Sequence, residues 1–272
     1  MNTARYIMED GREAARLARK VDAAAWVAQY LDRLLPDSGA VLEVGCGPGA
    51  LVAAVAAASS TLYVTGVDLN AGRFRRECAS MPFNVSLLEA NACALPCEPN
   101  AFDVVYCRFL LEYLKERARA VSEMVRVCKP GGRVLLQDLD GQMLWHYPAD
   151  AELSDQMARV LAFMATTGFD PLVGRKLYSL ARDAGLTDLS VQAQPYHLIA
   201  GVADDFTLDL WDLKLDIALP IAAQALGTME AARALKARFM DYLRREDSLT
   251  YSVVFTVVGT KPGDVSPVPR TR

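Results

Sequence analysis

The sequence predicts an α/β fold, and three observations predict it. Apolar runs of strand length alternate with helical stretches, a glycine turn joins the first such run to its helix, and proline or glycine closes the later elements. From Glu13 to Leu35 apolar residues return at helical spacing (Leu17, Val21, Ala24, Ala28, Leu31, Leu35), and Pro36-Asp37-Ser38-Gly39 ends this leading helix. Ala40 to Val44 then reads as a strand, Ala50 to Ala58 as an alanine-rich helix, and Leu62 to Val67 as a second strand ending in Asp68. A helix from Ala71 to Ser80 precedes strands Val85 to Leu88 and Phe102 to Cys107. Helix Glu116 to Val127 stops at Lys129-Pro130-Gly131-Gly132, where the punctuation forces a turn before strand Arg133 to Gln137. This β-α-β-α order is that of a parallel sheet covered by helices on both faces.

After Asp138 the pattern changes. Ala149 to Thr166 and Leu172 to Ala184 read as helices, Leu189 to Ala193 as a strand, Asp204 to Arg245 as helices, and Tyr251 to Val258 as the last strand. Along Thr228 to Arg245 the residues Ala231, Leu235, Phe239 and Tyr242 mark a buried face. The division expected is a helical cap over 1–36, a core over 37–203 and 249–261, a helical lid inserted over 204–248, and a disordered tail over 262–272, whose three prolines carry no periodicity.

A chain of 272 residues, 52% hydrophobic and 23% charged, is long enough for one large core with an accessory cap. Its net charge of −4 argues against a general binder of phosphate backbones, so no nucleic-acid partner is expected. Arg73, Arg75 and Arg76, or Lys115, Arg117 and Arg119, stand beside acidic residues and read as solvated helix faces. No apolar run reaches membrane-spanning length, and the start lacks the apolar core of a signal peptide, so a cytoplasmic protein without membrane contact is expected. The six cysteines lie in or beside apolar segments and read as free thiols. The oligomeric state does not follow from the residues, and a homodimer stays open.

Gly45-x-Gly47-x-Gly49, delivered by a strand into a helix, brings backbone close to a ligand because no side chain blocks the approach. A phosphate loop would end in Gly-Lys-Ser/Thr, whereas this one runs Gly49-Ala50-Leu51; a dinucleotide loop would place its third glycine one residue later. Glu43 would repel a pyrophosphate and suits a ligand carrying an ammonium group and a sulfonium. Asp68 stands where an acid accepts from ribose hydroxyls, and a helix N-cap is its plainer reading.

Val41-Leu42-Glu43-Val44-Gly45-Cys46-Gly47-Pro48-Gly49, Val64-Thr65-Gly66-Val67-Asp68, Asn91-Ala92-Cys93-Ala94-Leu95-Pro96, Phe102-Asp103-Val104-Val105-Tyr106-Cys107 and Arg126-Val127-Cys128-Lys129-Pro130-Gly131-Gly132 follow one another in an order that resembles the motifs of class I S-adenosylmethionine-dependent methyltransferases. The resemblance covers Ala40 to Gln137 well and the remainder loosely. It implies a Rossmann-like, seven-stranded, mostly parallel sheet and S-adenosyl-L-methionine as cofactor. It further implies that Gly45, Cys46 and Gly47 line the methionine part, that Asp68 and Leu69 meet ribose and adenine, and that Asn91 and Ala92 meet the adenine edge. Asn91 replaces the usual aspartate, and its amide oxygen can still accept from an amino group. Arg108 is similar to the position bordering the methionine end. Tyr6 and Arg16 resemble a tyrosine and an arginine that close over the cofactor in small-molecule relatives, although Arg16 among Arg12, Arg19 and Lys20 also reads as ordinary helix surface.

The methyl acceptor is expected beyond the carboxyl ends of the strands, where Asp138 to Tyr147 form a loop. Within it Asp140 and His146 are the candidates for removing a proton, beside Trp145 and Tyr147. His197 is a second histidine candidate, for which a place at a sheet edge is the plainer reading. Cys93-x-x-x-Cys97 has no second pair and Asp138 with Asp140 lacks partners, so no metal site is expected. The function expected is methyl transfer to the oxygen or nitrogen of a small organic acceptor, a metabolite or natural-product intermediate. Two alternatives stand beside it: a cofactor-binding enzyme of rearrangement or elimination, and a protein or nucleic-acid methyltransferase, the latter lacking an Asn/Asp-Pro-Pro-Tyr-like motif and a basic arm.

Overall fold

The computed structural model describes residues 22–75 and 77–263. The expected first turns of the leading helix, Tyr6, Arg16, Arg76 and most of the expected tail lie outside the described residues. Seven strands form one sheet in the order β3-β2-β1-β4-β5-β7-β6. They are β1 (Gly39–Val44), β2 (Leu62–Asp68), β3 (Val85–Glu89), β4 (Phe102–Arg108), β5 (Cys128–Tyr147), β6 (Thr187–Ala200) and β7 (Leu249–Thr260). β1 to β5 are parallel, and β7 runs antiparallel to both β5 and β6. Every strand but β7 therefore ends at the same edge.

The central strands are mostly apolar because both their faces are covered. Leu42, Val44, Val105, Cys107, Val134 and Leu136 join one core, with α3 (Arg117–Val127) and α5 (Leu177–Asp183). The alternate residues Val41, Val104, Tyr106 and Leu135 join the other, with α2 (Ala50–Ala58) and with α1 (Ala23–Trp26), which continues through a π turn at Val27–Leu31. This alternation is the two-residue period of a strand.

A third core lies among α4 (Ala151–Thr167), α6 (Asp205–Leu226) and α7 (Met229–Tyr242), where Leu153, Met157, Trp211, Leu235 and Phe239 pack with Ile199 at the end of β6. Asp150, Asp204 and Thr228 cap these helices by accepting backbone N–H bonds, and α4 and α6 end on left-handed Gly168 and Gly227. Arg238 ties α7 to Asp150 and Glu152, while Lys236 ties it to Asp212 and Asp216 of α6.

Several expected elements take another form. The helix expected from Ala71 to Ser80 is two 3₁₀ turns, Ala71–Arg73 and Cys78–Ser80. Among the described residues of this stretch only Phe74 is buried, so no apolar stripe sustains a longer helix. Asn70, not Asp68, caps it, accepting from Gly72 N. Leu172 to Ala184 enters as a 3₁₀ turn, Gly174–Lys176, before α5. Asp138 to Tyr147, expected as a loop, continues β5 to its end, because β7 pairs with it at Trp145↔Tyr251, His146↔Thr250 and Tyr147↔Leu249, past an irregularity after Asp140. Lys129 to Gly132 form a bulge inside β5, with Gly131 left-handed and its N–H bonded to Lys261 O. Among the described residues, no helix is long and apolar enough to cross a membrane, and the six cysteines are free.

Candidate active site

The site begins where β1 ends. Gly45, Gly47 and Gly49 take φ of +80°, +52° and +84°, the left-handed region that costs a side chain most. Gly45 N and Cys46 N both donate to Val67 O, fixing the turn to β2, and Gly49 opens α2. A Cβ at Gly45 would press on Leu110, whereas one at Gly47 would meet nothing within 4 Å. The loop thus turns an open backbone face outward at Gly47.

Asp68, 5% exposed, spans the gap between the two strand ends. Gly47 N donates to its Oδ2 (2.9 Å), Asn70 N to its Oδ1 (3.1 Å), and Arg73 Nη1 lies 3.1 Å from Oδ1. Leu69 beside it is exposed. Glu43, one residue before the end of β1, is 3% exposed and accepts from Tyr106 Oη at 3.1 Å. Burial pushes its carboxyl up to about 8, against the opposing influence of Tyr106 and Arg108. The sulfur of Cys46 is buried behind the loop, and its thiol is raised by the same desolvation. The residues present therefore fit a cationic, backbone-hugging ligand: a left-handed glycine opens one wall, and a buried acid supplies the counter-charge.

Ala90 N donates to Asp68 O, which brings Asn91 and Ala92 to the same edge. Asn91 is exposed, and its Oδ1 accepts from Cys93 N (2.8 Å), forming a local turn that fixes the side chain. Ala92 is buried. At the end of β4, Arg108 donates from Nε to Gln137 Oε1 (3.1 Å) and lies with its guanidinium 4.1 Å from the ring centre of Phe109. Gln137 also accepts from Trp26 Nε1 (2.7 Å) and donates to Thr256 Oγ1 (2.7 Å), while Tyr30 Oη donates to Gln194 Oε1. Strands β4, β5, β6 and β7 and the π turn are thereby joined around Arg108. Phe109 itself is left-handed, at φ +52°.

Farther along β5, Asp140 is held fast. Arg175 donates to it from Nε (2.7 Å), Nη2 (2.6 Å) and its backbone N (3.1 Å), a bidentate pair that anchors the turn before α5. His146, on the extended part of β5, places Nδ1 3.0 Å from Thr250 Oγ1 and packs its ring against Tyr242 and Phe239 of α7. Trp145 lies so close to Gly141 that a Cβ there would overlap the indole, and Tyr147 is exposed. A row of rings leads away from Arg108: Phe109 meets Tyr196, Tyr196 meets His197, His197 meets Trp211, and Trp211 meets Phe239.

Gln137, Tyr196, Trp26 and Arg175 escaped the sequence reading, and Arg73, read there as a solvated helix face, is instead paired with Asp68. Their roles rest on partners from 5 to more than 100 positions away, and none carries a local motif. Glu112 escaped it too, and nothing in the sequence pairs it with Asp138, read as the start of a loop. Both are buried, Glu112 N donates to Asp138 Oδ2, and desolvation with the neighbouring Glu112 carboxylate raises Asp138 well above the usual carboxylate range.

Residues 42–136 match the family described as methyltransferase domain. A ubiquinone biosynthesis O-methyltransferase of Methylococcus capsulatus is 30% identical over 165 residues, covering 59% of this chain and 68% of that protein. A demethylmenaquinone methyltransferase of Staphylococcus aureus is 38% identical over 112 residues, covering 38% of this chain and 46% of that one. Among solved structures, phosphoethanolamine N-methyltransferase 2 of Haemonchus contortus, determined with phosphomonomethylethanolamine and S-adenosylhomocysteine, superposes with a TM-score of 0.58 at 17% identity over 96% of this chain and 61% of that one. The fold is thus that of the Rossmann-like methyltransferases. This chain belongs to the class I S-adenosylmethionine-dependent methyltransferase family, whose cofactor is S-adenosylmethionine.

Proposed function

We propose that the chain methylates an oxygen of a small organic acceptor, a metabolite or natural-product intermediate. The observation that carries the reading is the open Gly47 face beside the buried Glu43 carboxylate, set inside the family match. The choice of oxygen is supported by the first of the two relatives, an O-methyltransferase of quinone biosynthesis. S-adenosylmethionine supplies an electrophilic methyl group on a sulfonium centre. Gly45, Cys46 and Gly47 would hold its methionine part with Glu43 as counter-charge, Arg108 would border that end, Asp68 and Leu69 would meet the ribose and adenine, and Asn91 and Ala92 the adenine edge.

On the acceptor side, His146 is the residue assigned to take the hydroxyl proton, with Thr250 and the α7 rings fixing its orientation. Asp140, engaged by Arg175, acts as a positioning residue for the loop before α5. Residues 37–203 and 249–261 serve in this reading as the cofactor core, and 204–248 as a lid that excludes water from the acceptor. Alignment and desolvation supply most of what such a transfer needs. The test is incubation of the purified chain with S-adenosylmethionine and a panel of phenols, catechols and amines, with S-adenosylhomocysteine and methylated product followed by mass spectrometry. Methylated phenol or catechol supports the reading. Cofactor binding with no S-adenosylhomocysteine under any acceptor would sink it.

A further inference from the structure

Beyond the ring row lies a cavity of about 230 Å³, lined by Tyr196, His197, Leu198 and Ile199 from β6 and by Thr207, Leu210, Trp211 and Lys214 from α6. Its place in the fold is fixed by strand direction. β6 ends at the same sheet edge as β1, β4 and β5, and Tyr196 Oη stands 3.5 Å from Arg108 Nη2. The cavity therefore lies at the sheet edge that carries the cofactor loop.

Three features mark it as built for a ligand. First, the β6–β7 register breaks between Tyr196 and Ile199, and His197 takes a left-handed φ of +49°. A bulge of this kind re-aims side chains, and a non-glycine residue keeps such a conformation only where its surroundings hold it. Here they do: Nδ1 lies 3.2 Å from the hydroxyl of Ser252, itself buried, and the ring is packed between Tyr196 (4.3 Å) and Trp211 (5.1 Å). Second, three of the eight lining residues, Tyr196, His197 and Trp211, carry planar rings, with Thr207 beside them. Third, α6 carries four acids, Asp205, Asp209, Asp212 and Asp216, and a single base, Lys214. That one base stands on the cavity wall with Nζ 4.7 Å from the Trp211 ring centre, while Asp212 and Asp216 are turned to Lys236 of α7. Thr207, Leu210, Trp211 and Lys214 recur at helical spacing and present one face to the cavity.

We propose that this cavity is the distal subsite of the methyl acceptor and that it takes a planar aromatic group bearing an anionic substituent. The ring would lie against Trp211 and His197, with Lys214 as its counter-charge. Assignment of the bound group as the acceptor rests on the methyl-transfer reading above; the binding itself does not.

The test is an NMR titration of the full chain, without cofactor, with two probes of equal shape: 3,4-dihydroxybenzoate and 3,4-dihydroxybenzamide. The anionic probe should bind about tenfold more tightly than the neutral one, the scale of one charge-assisted contact. Lys214→Met should remove that preference by weakening the benzoate alone, and Lys214→Arg should restore most of it. Leu210→Trp, which fills the cavity without touching the charge, should weaken both probes. A charge preference unchanged in Lys214→Met, or both probes unaffected by Leu210→Trp, would overturn the subsite even in a chain that turns over. A chain that forms no methylated product yet shows the Lys214-dependent preference keeps the subsite and loses the methyl-transfer reading.

Discussion

Glu43 gives the site a pH dependence that can be worked out in advance. Its carboxyl is buried beside Tyr106 and pushed from an ordinary 4.5 up to about 8, chiefly by desolvation. At pH 7 it stands one unit below its midpoint, so ionising it costs about 1.4 kcal/mol and about one molecule in ten carries the charge. A cation bound against it favours the ionised form, so binding releases a proton. The apparent affinity for S-adenosylmethionine should then rise about tenfold for each unit between roughly pH 6 and 7, levelling near the midpoint. Calorimetry between roughly pH 5.5 and 7.5 stays below the titration of the ligand's own α-amino group, near 7.7–8.0. Glu43→Gln should bind more weakly at pH 7.5 and show a flat profile. The same group acts on stability with a definite sign. Because its folded value lies above its unfolded one, its favourable contribution is complete below about pH 4.5 and is lost as the pH rises through about 8. Glu43→Gln should accordingly melt higher than the parent at pH 8 and no higher at pH 4. A pH-independent affinity in the parent protein, with the fold intact, would refute the placement of a cation against Glu43.

Four further outcomes are expected. Gly47→Val should abolish cofactor binding while the chain still folds, since the side chain enters the open face of the loop at φ +52°; normal affinity in calorimetry would remove the loop from the site. Asp68→Ala should weaken S-adenosylmethionine by about 1–3 kcal/mol, the scale of lost charged hydrogen bonds, and an unchanged dissociation constant would take Asp68 out of the ribose contact. His146→Ala should leave cofactor affinity within a few fold and lower kcat, with a melting curve as the control; cofactor loss with unaltered acceptor handling would make α7 part of a cofactor clamp. Phe239→Ala, at a position with no exposure in the core of α4, α6 and α7, should cost about 3–5 kcal/mol in chemical denaturation, and a cost near zero would mean that those helices do not share a packed core.

The sequence by itself determined the parallel half of the sheet and the glycine turn at the end of β1. Both rest on local rules. Val41, Leu42, Val44 and Val104 to Cys107 are apolar because helices cover both faces, with Glu43 the buried exception, and Gly45, Gly47 and Gly49 declare their left-handed turn by lacking a side chain. Asp68 was legible as the acid ending β2, though its bonds to Gly47 and Arg73 were not. Tertiary structure decided the extended half of β5 and the partners of its charges. Asp138 to Tyr147 read as a loop because the strand pairing with them arrives more than a hundred residues later, and β7 alone turns them into ladder. Asp140 was legible as an acid, whereas nothing near it in the chain announces its partner Arg175. His197 gave no sign of its bulge, since register depends on which residues of β7 it meets, and Arg108 gained Gln137, Trp26 and Tyr196 only when strands β4, β5 and β6 and α1 closed around it. Periodicity and backbone conformation are written along the chain, whereas the partner of a charge and the register of an antiparallel edge are fixed only when distant segments meet.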